Sequence, residues 1–119
     1  MIIYASRTGN VRFIINQKLN LPSKELREDE IVNEDFIIFT YTDKLGELPE
    51  KVDKFMKLNH PLCKGVIASG NKNFGKYNFC RAADILNELY GIEIIDKLDL
   101  RGNDSNYEKI KKRYNEIFS

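Results

Sequence analysis

Met1-Ile2-Ile3-Tyr4-Ala5-Ser6-Arg7-Thr8-Gly9-Asn10-Val11, at the start of the chain, decides how the rest is read. Ile2 to Ala5 is apolar almost without interruption, as a strand covered on both faces requires, whereas a strand with one wet face alternates. Hydroxyl, guanidinium and amide side chains follow around Gly9, and then Val11, Ile14 and Ile15 fall at helical spacing. A buried strand that passes through a glycine-bearing turn into an amphipathic helix is the first half of a βαβ unit, the building block of a parallel sheet.

The same character recurs along the chain. Phe36 to Tyr41, Val66 to Ala68 and Ile92 to Ile95 are further apolar runs, and a weaker strand is expected at Ser23 to Arg27 after Pro22. Helical spacing links Val52, Phe55 and Met56, then Ala82, Leu86, Leu89 and Tyr90, then Tyr107, Ile110, Tyr114 and Ile117. Pro49 suits the first turn of the second helix and Gly91 the cap of the third. Strand and helix alternate throughout, which predicts one α/β domain over 1–119: a doubly wound, five-stranded parallel sheet with helices on both faces. Its expected strand order is the flavodoxin-like 2-1-3-4-5.

Composition excludes several classes of function. With 119 residues, 42% apolar and 31% charged, the chain suits one compact core and not a disordered or fibrous segment. A net charge of +1 lacks the basic excess expected of a nucleic-acid binder. No apolar run approaches the roughly 18 residues that cross a bilayer. The first residues lack the basic and apolar regions of a secretion signal, so the cytoplasm is the expected location. Cys63 and Cys80, with sixteen residues between them, form no metal or redox motif and are expected to be reduced and structural. His60 is the lone histidine and is not expected to be a ligand. The stretch Glu25 to Asp35, with six acids against Arg27, is expected to be a solvated connection.

In a sheet of this order ligands sit beyond the carboxyl ends of the strands, near the switch point. Three turns lie there. Ser6 to Asn10 offers hydroxyls, an amide and Gly9 at a helix N-terminus, a combination that suits a phosphate, although ordinary capping uses the same residues. Thr40 to Pro49 carries hydroxyls, Tyr41 and Gly46. Ser69 to Lys76 nearly matches a nucleotide-hydrolase phosphate loop through Gly70, Gly75 and Lys76, but Tyr77 replaces the magnesium-binding hydroxyl, so ATP or GTP hydrolysis is rejected. That loop, rich in amides and centred on Phe74, suits the edge and face of a planar heterocycle. A phosphate turn followed by two aromatic-bearing turns resembles the arrangement that holds flavin mononucleotide, FMN, in flavodoxin-like folds, and that resemblance makes FMN the leading ligand.

Three segments carry a resemblance: Ser6-x-Thr8-Gly9-Asn10-Val11, Phe36-Ile37-Ile38-x-Thr40-Tyr41-Thr42 with Gly46 and Pro49, and Gly65-Val66-x-Ala68-Ser69-Gly70-Asn71-x-Asn73-Phe74-Gly75. A late Leu98-x-Leu100-x-Gly102 also fits. Over essentially its whole length the chain resembles the NrdI family, flavodoxin-like activators of class Ib ribonucleotide reductase. The resemblance implies FMN as cofactor, a flavin-reducing electron donor, and the dimanganese small subunit of the reductase as partner, with the reduced flavin turning O₂ into superoxide or peroxide. It implies that Ser6, Thr8, Gly9 and Asn10 hold the phosphate and that Thr42, Gly46, Asn71, Phe74 and Gly75 line the isoalloxazine. Arg7, Val11, Tyr41, Asp43, Lys44, Ser69, Gly70, Asn73, Phe79 and Cys80 complete the expected cofactor-binding set. Lys44 stands where many members have glycine, and Phe74 where tryptophan is common.

No acid, base or nucleophile is expected of the protein, since the flavin carries the chemistry. A small flavodoxin acting as a one-electron carrier is the alternative. A flavin-free receiver-like module would need an acidic cluster at the ends of strands 1 and 3, and no carboxylate pair lies there. Between Asp53 and Asp84 there is no acid, while Lys54, Lys57, Lys64, Lys72, Lys76 and Arg81 fall in that interval, which predicts a positive field near the flavin loop.

Overall fold

Adjacent apolar residues in a strand point to opposite faces, and here both faces are buried. The computed structural model, which describes residues 1–43 and 45–119, turns Ile2 and Ile37 to one side of the sheet and Ile3 and Ile38 to the other. The strands are β1 (Ile2–Tyr4), β2 (Ser23–Glu25), β3 (Phe36–Tyr41), β4 (Cys63–Gly70) and β5 (Ile94–Asp99). They run in the order β2-β1-β3-β4-β5, with every neighbouring pair parallel. The expected fold class and strand order therefore hold.

The helices are α1 (Asn10–Phe13), α2 (Glu50–Asn59), α3 (Arg81–Tyr90) and α4 (Asp104–Phe118). On one face Val52, Phe55 and Met56 of α2 and Ala83 and Leu86 of α3 pack on Ile3, Ile38, Val66 and Ala68. Phe36 and Phe55 meet edge to face there, with centroids 5.6 Å apart. On the other face Val11 of α1 and Tyr107, Ile110 and Tyr114 of α4 cover Ile2, Ile37, Phe39 and Ile67. A π-helical segment, Ile14–Leu19, continues α1 and buries Ile14, Ile15 and Leu19. Asn20 ends it in the left-handed conformation, φ 52°.

Several expected boundaries move. The last strand is Ile94–Asp99, not Ile92 to Ile95: Ile92 is buried in the core before the strand begins, and the strand runs on through Asp96 and Lys97. Those charges are tolerated because Asn106 Nδ2 donates to Asp96 at 2.9 Å and Lys97 Nζ to Asp84 at 2.8 Å. The fourth strand extends beyond Val66 to Ala68 at both ends, and the second stops at Glu25. Pro49 precedes α2 as its N-cap, with extended ψ of 137°.

The acidic stretch after β2 is tied down by a residue from α2. Buried Asn59 accepts from the Val32 N–H at 2.9 Å and donates to the carbonyls of Glu30, at 2.8 Å, and Phe55, at 3.0 Å. His60 stacks on Tyr90 with centroids 4.2 Å apart, its Nδ1 3.0 Å from the Met56 carbonyl, so its ring has a packing role.

Candidate functional site

The carboxyl ends of β1, β3, β4 and β5 open onto a cleft of about 350 Å³, within the range of small-molecule sites. Ser6, Arg7, Thr8, Asn10 and Val11 line one end of it, on the turn between β1 and α1. Gly9 caps α1 at φ 93°, and a Cβ placed on it would meet nothing within 4 Å, so the positive φ demands glycine while the space beside it stays open. First-turn N–H groups have no partner inside their helix, and that of Arg12 turns to Ser6 Oγ at 3.4 Å. The result is a turn of donors: two hydroxyls, one amide and the N–H groups of a helix start.

Tyr41 and Thr42 of the turn after β3 form a second wall. The Thr42 N–H donates to the Ser69 carbonyl at 3.2 Å, and Thr42 Oγ1 accepts from the Ala82 N–H at 3.4 Å, which fixes the hydroxyl at the start of α3. Arg7 crosses between the turns, pairing with Asp43 at 3.1 Å and lying 5.4 Å from the Tyr41 ring centre. Burial and the nearby Asp43 push the Tyr41 phenol above its ordinary pKa, with Arg7 opposing them. Tyr41 is therefore a neutral group at the pH of the cell.

Ser69, Gly70, Asn71 and Phe74 supply the third wall. Asn71 caps the short turn Lys72–Phe74 by accepting the Asn73 N–H at 2.9 Å. That turn holds Phe74 53% exposed at the cleft rim, an apolar face left to solvent. Gly70 passes close under Cys80, where a Cβ would come within 3.0 Å of the Cys80 N and Sγ.

Several expected site residues stand behind the walls. Asp43 and Glu47 bridge backbone to backbone, at 2.8 and 2.7 Å, in the turn that bears Gly46. Gly46, at φ 91°, faces α3 and its approach, where a Cβ would lie 2.8 Å from Asn78 Oδ1 and 3.3 Å from Arg81 Cβ. Asn73 and Gly75 are exposed on the turn, and Phe79 lies under Lys72, whose Nζ is 5.7 Å from its ring centre. Cys80 is wholly buried, with its thiol donating to the carbonyls of Ala68, at 3.4 Å, and Leu98, at 3.6 Å. Burial raises its pKa to about 12 and that of the equally free Cys63 to about 11, so both are neutral core groups. The Cys80 side chain thus belongs to the floor under the loop and not to the cleft surface. Lys44 lies outside the described residues.

Two lining residues escape the sequence reading, Asn78 and Leu100. Asn78 Nδ2 donates to the Phe74 carbonyl at 3.1 Å and so braces the rim aromatic. Leu100 sits in the left-handed region, φ 55°, a conformation costly for leucine. Its N–H donates to the Gly70 carbonyl at 2.7 Å and its own carbonyl accepts from Ser69 Oγ, which lock the turn after β5 onto the end of β4. The motif Leu98-x-Leu100-x-Gly102 was the available signal.

Charge around the cleft is one-sided. Among the described residues, no carboxylate lines it, and Arg7 is its one charged wall. The cations between Asp53 and Asp84 are more dispersed than their spacing suggests, because Lys54 and Lys57 pair with Glu50 and Asp53 along α2 and Arg81 pairs with Glu88. Lys72 and Lys76 remain exposed on the loop that carries Phe74. Donors without carboxylates at one end, and a free aromatic face at the other, fit a ligand that joins a phosphate to a planar ring.

The chain is similar to known proteins. The family model described as NrdI flavodoxin-like matches residues 2–112. The "Protein NrdI" of Macrococcus caseolyticus (strain JCSC5402) is 34% identical over 117 residues, covering 98% of this chain and 90% of the relative. Among solved structures, a short-chain flavodoxin associated with a non-canonical PDU bacterial microcompartment superposes with a TM-score of 0.67 at 23% identity, over 93% of this chain and 90% of its own. Oxidised Flavodoxin 1 from Bacillus cereus gives 0.69 at 18% identity, over 98% and 95%. At these identities the two structures establish the fold alone. The family match and the curated relative go further: the chain belongs to the NrdI family of flavodoxin-like, FMN-binding proteins associated with ribonucleotide reductase.

Proposed function

We propose that the cleft holds FMN with its phosphate in the Ser6–Asn10 turn and its ring system against Phe74, and that the chain serves class Ib ribonucleotide reductase as an activating flavoprotein in the cytoplasm. The observation that carries this is the division of the cleft, with hydroxyl, amide and helix-start donors at one end, an exposed aromatic at the other, and no carboxylate among its described lining residues. A dianionic phosphate is favoured at the start of a helix by the unpaired N–H groups and the helix dipole together. Ser6, Thr8 and Asn10 would add side-chain donors to it, and Gly9 leaves the approach open.

Bound there, FMN would supply reversible redox chemistry and, when reduced, conversion of O₂ to superoxide or peroxide for the dimanganese site of the reductase small subunit. The protein's own part is to bind, to orient and to partly exclude water. Thr42, Ser69 and Asn71 present polar atoms around the middle of the cleft, and Leu100 with Val11 gives it apolar walls. A flavin-reducing electron donor is required as a further partner.

The test has two stages. Apoprotein titrated with FMN should take up one flavin per chain, and a protein that binds none refutes the proposal. The reduced holoprotein, mixed with manganous small subunit and O₂, should generate the tyrosyl radical seen by electron paramagnetic resonance. Radical formation no greater than with free reduced FMN would refute the activator role and leave an electron carrier.

A further inference from the structure

Three arginines surround the Ser6–Asn10 turn. Arg7 pairs with Asp43 and Arg12 with Glu25, so each has a carboxylate partner. Arg101, from the turn between β5 and α4, forms no ion pair among the described residues. It reaches across 91 positions of sequence to donate from Nε to Asn10 Oδ1 at 3.2 Å. Its guanidinium lies flat enough on the Phe13 side chain to bring Cζ within 4.0 Å of the ring centre, and its backbone carbonyl accepts the Tyr107 hydroxyl. Both ends of the residue are therefore held, one by α4 and one by the α1 aromatic.

The direction of that hydrogen bond has a chemical consequence. A guanidinium only donates, so the atom facing it must be the amide oxygen of Asn10. The Asn10 amide nitrogen is left on the other side, and Asn10 lines the cleft. Without Arg101 nothing in this arrangement prevents the amide from turning its oxygen to the cleft, where it would repel an anion.

We infer that Arg101 is a positioning residue and an electrostatic determinant for the phosphate end: it orients Asn10 as a donor and adds a positive charge that is held in no ion pair among the described residues. The inference rests on the FMN reading above. It assigns to this turn the preference for a phosphorylated flavin over the same ring without phosphate.

The experiment compares FMN and riboflavin binding, by flavin fluorescence, to the wild type, Arg101→Met and Arg101→Lys at low and high salt. Met keeps the apolar contact with Phe13 and removes donor and charge, whereas Lys keeps both of these. Arg101→Met should weaken FMN about tenfold at low salt, the size of one charge-assisted hydrogen bond, and leave riboflavin unchanged. Arg101→Lys should restore most of the FMN affinity, and added salt should narrow the gap. Equal losses for both flavins, or no loss for either, would overturn the inference, as would a Lys variant as weak as Met. Thermal melting of each apoprotein identifies a variant that has lost its fold. A wild type that binds no FMN would instead overturn the function proposed above, so the two failures are distinct.

Discussion

Replacing Phe74 by Ala separates binding from folding more cleanly than any other change at the cleft. Fully burying a Phe side chain contributes about 1.5–3 kcal/mol, and Phe74 is 53% exposed. Its truncation should thus cost the fold only about 1 kcal/mol, and Asn78, which bonds the Phe74 carbonyl and not its ring, keeps the turn in place. Stacking of a heterocycle on an aromatic is worth about 1–3 kcal/mol by alanine substitution. At about 1.4 kcal/mol per tenfold, that is a rise of roughly 5- to 150-fold in the FMN dissociation constant. Phe74→Tyr, which keeps the ring, should stay near wild type. Fluorescence titration of apoprotein reads the constant, and denaturant unfolding of the same samples reads stability. An unchanged dissociation constant in Phe74→Ala would refute the stacking role.

Gly9→Ala and Gly9→Asp share the backbone strain of φ 93°, and neither Cβ meets a neighbour, so both should fold with about 1 kcal/mol lost. Only Asp sets a carboxylate against the phosphate, so its FMN affinity should fall at least about tenfold below that of the Ala variant, measured by titration at low salt. Asn59→Ala strands the buried Val32 N–H and two carbonyl contacts, and denaturant unfolding should show a loss of about 2–4 kcal/mol with FMN affinity unchanged. The thiols of Cys63 and Cys80, raised to about 11 and about 12, keep their protons when folded at pH values where the unfolded chain releases them. Stability should therefore fall as pH rises above the ordinary thiol value of about 8.5, and the Cys63→Ala, Cys80→Ala double variant should show a shallower fall.

The sequence showed the sheet wherever burial is complete. All of Phe36 to Thr40 is buried, and β3 runs over the residues that its apolar run marks. β5 runs on to Asp99, past the end of its apolar run at Ile95, because Asp96 and Lys97 interrupt the pattern there. Their partners, Asn106 and Asp84, stand on α4 and α3 and become neighbours only in the folded chain. The cleft divides in the same way. The turns after β1, β3 and β4 announce themselves by glycine, hydroxyl and amide residues that local chemistry explains. Leu100 does not, since its place in the wall depends on a left-handed backbone clamped by Gly70 and Ser69. Cys80 and Gly46 lie within a few residues of the cleft wall in sequence, yet Cys80 is sealed in the core and Gly46 packs against Asn78 and Arg81. Arg101 joins the phosphate turn from the far end of the chain, a pairing that sequence spacing cannot reveal.

The central claim is that a flavin phosphate occupies the Ser6–Asn10 turn while the ring lies against Phe74. Amide proton–nitrogen spectra of labelled apoprotein, recorded with FMN and then with riboflavin, test both halves at once. FMN should shift the amides of Thr8, Gly9, Asn10 and Val11 together with those of Asn71 to Phe74, and riboflavin should shift the second group alone. Amides of residues 8–11 that stay in place on saturation with FMN would contradict the account.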